Sequence, residues 1–133
     1  MERDLVISSQ LININKVRSF LDEFFIETCL EKNNFNRVLL GISEAVNNSI
    51  VHGNGLDIRK NVFLEIKYFN KQLFVIVKDE GTGFDQKCIC DPTCEENLRK
   101  ENGRGIFLLR KMADEVDYTD GGSSVMIKFN LDK

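Results

Sequence analysis

Leu73-Phe74-Val75-Ile76-Val77-Lys78-Asp79-Glu80-Gly81-Thr82-Gly83 runs from five consecutive apolar residues straight into an acidic, glycine-bearing turn. The apolar half, rich in Val, Ile and Phe, has the composition of a β-strand. Val62 to Phe69 upstream has the same character, and Asn70-Lys71 between them is turn-forming, so the pair reads as an antiparallel hairpin. Gly81 and Gly83 permit backbone angles closed to other residues and let a ligand approach the main chain. Asp and Gly are also the favoured residues of a plain tight turn, so this element taken singly fits a turn as well as a site.

Outward from the hairpin the periodicity changes. Ile14, Val17, Phe20, Leu21, Phe24 and Thr28 recur at helical spacing, after a short strand over Leu5 to Ser9. A second helix starts near Asn34 and carries Phe35, Val38, Leu39, Ile42 and Val46 on one face. It runs to about His52, where Gly53-Asn54-Gly55 supplies a stop signal. Beyond the hairpin, Glu80 to Gly105 is polar and too long for a routine connection, which points to a functional or mobile segment. Within it Asp91-Pro92 has the form of a cap and first-turn proline for a short helix over Thr93 to Lys100. Ile106, Leu108, Leu109 and Met112 predict a third core helix. Glu115 to Thr119 and Val125 to Asn130 then predict two strands around Asp120-Gly121-Gly122. Helices on one face of a largely antiparallel sheet, an α+β two-layer sandwich, is the economical packing of these elements. The 133 residues suffice for one core, and no repeat or linker divides them, so a single domain over 1–133 is expected.

Composition narrows the function classes. A net charge of −3 and a pI near 5.2 give no basic footprint for nucleic acid. The first residues lack the apolar run of a signal peptide and no stretch approaches bilayer-spanning length, so a cytoplasmic protein without a membrane anchor is expected. Cys29, Cys88, Cys90 and Cys94 then read as thiols. The last three form a C-x-C-x3-C cluster, but a structural zinc site wants four ligands, and the fourth would be distant Cys29 or His52. His52 beside a helix end suits the helix dipole without any catalytic part.

At about 100° per residue, Val38, Leu39, Ile42 and Val46 fall within roughly 60° of Phe35, whereas Glu44 and Asn48 lie near the opposite side. Their i, i+4 spacing stacks a carboxylate and a neutral amide a turn apart. On periodicity alone a plain solvated helix face is the favoured reading, because Glu and Asn are common surface residues of an amphipathic helix. Gly103-Arg104-Gly105 opens the third helix with backbone amides suited to phosphate. No G-x-x-x-x-G-K-[ST] loop occurs, and Gly81-Thr82-Gly83-Phe84-Asp85-Gln86 lacks the third glycine of the dinucleotide fingerprint.

The ordered series E-A-V-N-N-S-I-V-H-G-N (44–54), D-E-G-T-G-F (79–84) and G-R-G-I-F-L-L-R-K-M-A-D-E-V (103–116) resembles the GHKL, or Bergerat-fold, ATPase superfamily. Within it the chain is most similar to the stand-alone anti-sigma-factor serine/threonine kinases. The resemblance covers nearly the whole chain and implies a histidine-kinase-like ATP-binding domain with a mobile lid, using ATP and Mg2+. It makes Asn48 a magnesium ligand, Glu44 the general base and Asp79 the acceptor for the adenine amino group. Gly81 and Gly83 would pass close to the base, and Gly103 and Gly105 would hinge the lid. Arg104, with Lys87, Arg99 and Lys100, would reach phosphate from that lid, and Arg18 on the first helix would contact a protein partner.

The same resemblance implies an anti-sigma regulator that sequesters a sigma factor and phosphorylates a Ser or Thr of a STAS-domain antagonist, acting as a homodimer. A binding module that holds nucleotide and partner without transferring phosphate is the alternative. The catalytic half of a two-component histidine kinase is disfavoured by the single His and the lack of a helical dimerisation segment. The cysteine-bearing lid departs from the family pattern.

Overall fold

The computed structural model describes residues 1–81, 111–119 and 123–131. Five strands form one sheet: β1 (Glu2–Ser8), β2 (Asn61–Phe69), β3 (Gln72–Asp79), β4 (Glu115–Thr119) and β5 (Ser124–Asn130). Their order is β1-β2-β3-β5-β4 and every neighbouring pair is antiparallel. Helices α1 (Ile14–Thr28) and α2 (Phe35–Asn48) are each entered through a short 3-10 turn. Strand β1 begins three residues earlier than its apolar core suggests, because charged Glu2, Arg3 and Asp4 still pair with Lys67, Ile66 and Glu65.

Alternation along the strands decides which sheet face is covered. Val62, Leu64 and Ile66 of β2, Leu73, Val75 and Val77 of β3, and Val125, Ile127 and Phe129 of β5 are all buried. They meet Val17, Leu21, Phe24 and Phe25 of α1 and Val38, Ile42, Ala45 and Val46 of α2 in one core. The expected α+β two-layer arrangement is therefore the observed one. At the far end of the core the rings of Phe25 and Phe35 meet edge to face, their centroids 5.3 Å apart.

Two tight junctions use non-glycine residues in the left-handed region. The β2–β3 turn holds Asn70 and Lys71 at φ 56° and 62°, the conformation a two-residue type I′ hairpin needs to match strand twist. Helix α1 ends on Cys29 at φ 56°, with the Leu30 amide donating to the Phe25 carbonyl (3.0 Å) and the Cys29 amide to the Ile26 carbonyl (3.2 Å). That bond pair is the Schellman closure, normally built on glycine. Cys29 is an exposed free thiol in that position.

Arg37 fixes the start of α2 over the sheet. Its guanidinium donates to the carbonyls of Asn130 (2.9 Å) and Met112 (3.3 Å), lies 3.5 Å from Asp114 and sits 5.7 Å from the centre of the Phe129 ring. Phe129 pairs with Leu73, so α2 starts where β3 starts and runs the same way. Phe35 to Gly53 at about 1.5 Å per residue spans about 28 Å, and β3 at about 3.3 Å per residue spans about 26 Å. The end of the helix therefore arrives beside the end of the strand. Lys111 and Met112 are helical; the rest of the predicted third helix, the helix over Thr93 to Lys100, the lid, the C-x-C-x3-C cluster and the turn at 120–122 lie outside the described residues.

Replacing Cys29 by glycine removes the left-handed strain and is expected to raise stability by about 1 kcal/mol. Phe24→Ala, in contrast, opens a cavity at a ring only 1% exposed and is expected to cost about 3–5 kcal/mol. Urea unfolding of the two variants beside the unsubstituted chain measures both.

Candidate functional site

The end of α2 does not stop cleanly. After Asn48 the helix widens into a π turn over Ser49–Gly53, closed by the Asn54 amide donating to the Ser49 carbonyl at 2.8 Å. A π turn re-aims the side chains around it and is often found at functional sites. Here it brings Ser49 and Gly53 against Asp79, the last residue of β3. The Ser49 hydroxyl lies beside the Asp79 carboxylate and favours its charged form, and the Gly81 amide donates to Asp79 Oδ1 at 2.9 Å.

Gly53 and Gly81 have no room for side chains. A Cβ on Gly53 would stand 2.2 Å from Asp79 Oδ2, and one on Gly81 would stand 1.8 Å from the Gly53 carbonyl oxygen. Gly81 does not take a positive φ, so conformational freedom is not what selects glycine there. The selection is steric: the turn after β3 is pressed onto the backbone that follows α2. Asn54 completes the junction, its buried carboxamide hydrogen-bonded to Ser9, Asn61 and Glu80.

Burial pushes the Asp79 carboxyl above the ordinary carboxylate range, opposed by the hydrogen bonds from Gly81 and Ser49 and by the positive charge of Lys60. A carboxyl raised on folding favours the folded state at low pH, and that contribution is lost as pH rises through its folded pKa. Near neutrality the ionised group therefore sits in the fold at a cost in stability. An acceptor so held is suited to an amino group presented by a ligand.

Glu44 and Asn48 are half-buried on the side of α2 that leaves the core, one turn apart, as their spacing predicts. Asn48 directly precedes Ser49, so it lies at the end of α2 that meets Asp79. The chain thus brings Asp79 and Gly81 to the end of the helix that carries Glu44 and Asn48. Arg18 is exposed on α1. Gly83, Gly103, Arg104 and Gly105, with Lys87, Arg99 and Lys100, lie outside the described residues. Among the described residues no group of three or more His, Cys, Asp or Glu side chains is arranged to hold a metal ion. Nor, among the described residues, is any helix long and apolar enough to cross a membrane.

Sequence reasoning took Gly53-Asn54-Gly55 for a helix stop and passed over Ser49. Their roles depend on the π turn, for which the sequence carries no spacing rule. The available signal was their place directly after Asn48 in the E-A-V-N-N-S-I-V-H-G-N run.

If the steric reading is right, Gly81→Ala forces backbone apart and costs about 1–3 kcal/mol, the usual penalty of overpacking. Asp79→Asn removes the half-buried charge. Its melting temperature should equal or exceed that of the unsubstituted chain near pH 7, and the difference should shrink toward pH 4, about where an ordinary Asp takes up its proton. Thermal unfolding across that range decides, and a lower melting temperature for Asp79→Asn near neutrality would contradict the assigned cost of the carboxylate.

The sequence and the fold have counterparts in known proteins. Residues 7–129 match the model of the histidine kinase-like ATPase domain. The chain is 33% identical over 100 residues to an anti-sigma F factor of Clostridium novyi, an alignment covering 71% of this chain and 69% of that protein. It is 28% identical over 102 residues to the serine-protein kinase RsbW of Listeria monocytogenes, covering 71% of this chain and 65% of the relative. Among solved structures, the chain carrying the RsbU and RsbW domains of Rv1364c from Mycobacterium tuberculosis superposes with a TM-score of 0.67 at 14% identity. That superposition takes in 97% of this chain and 31% of the larger one, and it bears on the fold alone. With 123 of its 133 residues inside the family model and the helix–strand junction in place, this chain belongs to the histidine kinase-like ATPase domain family.

Proposed function

We propose that this protein is an anti-sigma regulator with serine/threonine kinase activity. It binds Mg-ATP at the end of α2, transfers the γ-phosphate to a Ser or Thr of a STAS-domain antagonist, and sequesters a sigma factor. The observation that carries the reading is the Asp79 carboxylate held by Ser49 and Gly81 one residue from Asn48. It supports a base-recognising acceptor at the end of the helix that carries a cation-binding amide. The named relatives, an anti-sigma factor and serine-protein kinases, support the wider role.

In this reading Asp79 accepts a hydrogen bond from the adenine amino group. Guanine would present a carbonyl oxygen there and leave the carboxylate unpaired, at a cost of about 1–3 kcal/mol. Gly81 and Gly83 lie along the base. Asn48 gives magnesium one hard neutral oxygen, enough for an ion that draws most of its shell from phosphates and water. Gly103, Arg104 and Gly105 close over the phosphates. Glu44 accepts the hydroxyl proton as the substrate oxygen bonds to the γ-phosphorus and the bond from that phosphorus to the β,γ-bridging oxygen breaks, releasing ADP. Arg18, exposed on α1, meets a protein partner, and the active form is a cytoplasmic homodimer.

Two substitutions separate binding from chemistry. Asp79→Asn should weaken ATP binding about tenfold or more. Glu44→Gln should keep ATP affinity within about twofold and lower phosphate transfer to a STAS-domain protein by about 10² to 10⁴. Transfer is read from γ-labelled ATP and affinity from nucleotide titration. If Glu44→Gln retains full transfer, Glu44 is not the base. If the unsubstituted chain binds ATP but labels no STAS partner, the protein is a nucleotide-dependent binding module instead of a kinase.

A further inference from the structure

We propose that Asn54 is a positioning residue for base recognition. Its carboxamide stands in for a missing rung between β2 and β3, sets the angle at which the Asp79–Gly81 turn leaves the sheet, and thereby governs how strictly the site prefers adenine. The inference rests on the ATP reading of this same site and adds to it a residue that touches no ligand.

The β2–β3 register ends at the pair Val62 and Asp79. One step further the same register would oppose Asn61 and Glu80. Their backbone groups instead take other partners. The Glu80 amide donates to Asn54 Oδ1 at 2.8 Å, and Asn54 Nδ2 donates to the Asn61 carbonyl at 2.9 Å. The Asn61 amide donates to the Glu80 side-chain carboxylate. One carboxamide is thus inserted between a strand-end amide and a strand-end carbonyl that a simple ladder would have joined directly, and it holds the two strand ends apart by its own width.

The second Nδ2 hydrogen goes to Ser9 Oγ at 2.8 Å, and that hydroxyl donates to the Lys60 carbonyl at 2.7 Å. The Asn54 backbone amide donates to the Ser49 carbonyl, closing the π turn. One residue therefore joins the end of β1, the start of β2, the end of β3 and the end of α2. It is 3% exposed, and three of the four hydrogen-bonding positions of its carboxamide are used. Such a network costs most when half satisfied, and that keeps it in one arrangement.

The geometric consequence falls on Asp79. With Glu80 drawn onto Asn54, the chain turns at once, and Gly81 lands on the Gly53 carbonyl where no Cβ fits. The Gly81 amide is thereby aimed back at Asp79 Oδ1. If Glu80 paired with Asn61 directly, β3 would continue along β2, and the Gly81 amide would lose its place beside the carboxylate. A carboxylate freed to rotate still attracts an amino group but rejects a carbonyl less strictly, so discrimination should fall along with affinity.

Titration with ATP and with GTP of the unsubstituted chain, Asn54→Ala, Asn54→Asp and Ser9→Ala tests this, each checked as folded by circular dichroism at the titration temperature. Asn54→Ala is expected to weaken ATP about tenfold and to narrow the preference for ATP over GTP by about threefold or more. Asn54→Asp keeps the oxygen that receives the Glu80 amide and should recover part of both. Ser9→Ala, which removes one anchor of the carboxamide, should shift both in the same direction by less. A residue that only supported the fold would lower the melting temperature and leave the ATP-to-GTP ratio of the folded protein untouched, and that result overturns the proposal. Should Asn54→Ala fail to fold, an unchanged affinity and ratio in Ser9→Ala overturns it equally. An unsubstituted chain that binds neither nucleotide removes the ATP reading and this inference together, whereas adenine-selective binding that survives the substitutions removes only the role of Asn54.

Discussion

Everything else in this fold is arranged around the apolar face of α2 lying along the inner face of β3. Val38, Ile42, Ala45 and Val46 are buried against strands whose inward residues are Val, Leu, Ile and Phe, and this burial is non-directional and strong. Direction comes from elsewhere. Arg37 ties the start of the helix to the ends of β4 and β5, so helix and strand run side by side and finish together. A helix laid the other way would bury the same area and leave Asp79 alone at the end of its strand.

At the shared end, the chain gives up conformational ease to gain proximity. The helix opens into a π turn, two glycines press backbone on backbone, and a carboxylate is drawn out of water beside Ser49. Each feature opposes stability by a modest amount, and each is held in place by the core behind it. Concentrated in one place, such features mark a region shaped for a ligand more than for strength. The polar network of Ser9, Asn54, Asn61 and Glu80 favours that shape, since breaking it in part leaves polar groups unpaired.

Most of the architecture was legible because it rests on short-range rules. Runs rich in Val, Ile and Phe bounded by turn residues marked β2, β3, β4 and β5 nearly to the residue, and the 3, 4, 7 spacing marked α1 and α2. The extra residues of β1 were hidden because Glu2, Arg3 and Asp4 join the sheet through backbone bonds, which carry no hydropathy signal. For the site, the sequence marked Glu44, Asn48 and Asp79 but gave two of its closest neighbours, Gly53 and Asn54, the bland role of a helix stop. It also explained Gly81 by backbone freedom, whereas the Gly53 carbonyl excludes its side chain.

The sequence by itself determined the two-layer class, the helix face shared by Glu44 and Asn48, and the family to which the ordered motifs pointed. Each depends on spacing within one segment or on the order of segments. Only the tertiary structure decided that Ser49 reaches Asp79, that Gly81 rests on Gly53, and that Asn54 takes the place of a rung between strands. The contacts between α2 and β3 join residues 26 or more positions apart, and they exist because the buried face of α2 lies along the sheet in the direction that Arg37 sets.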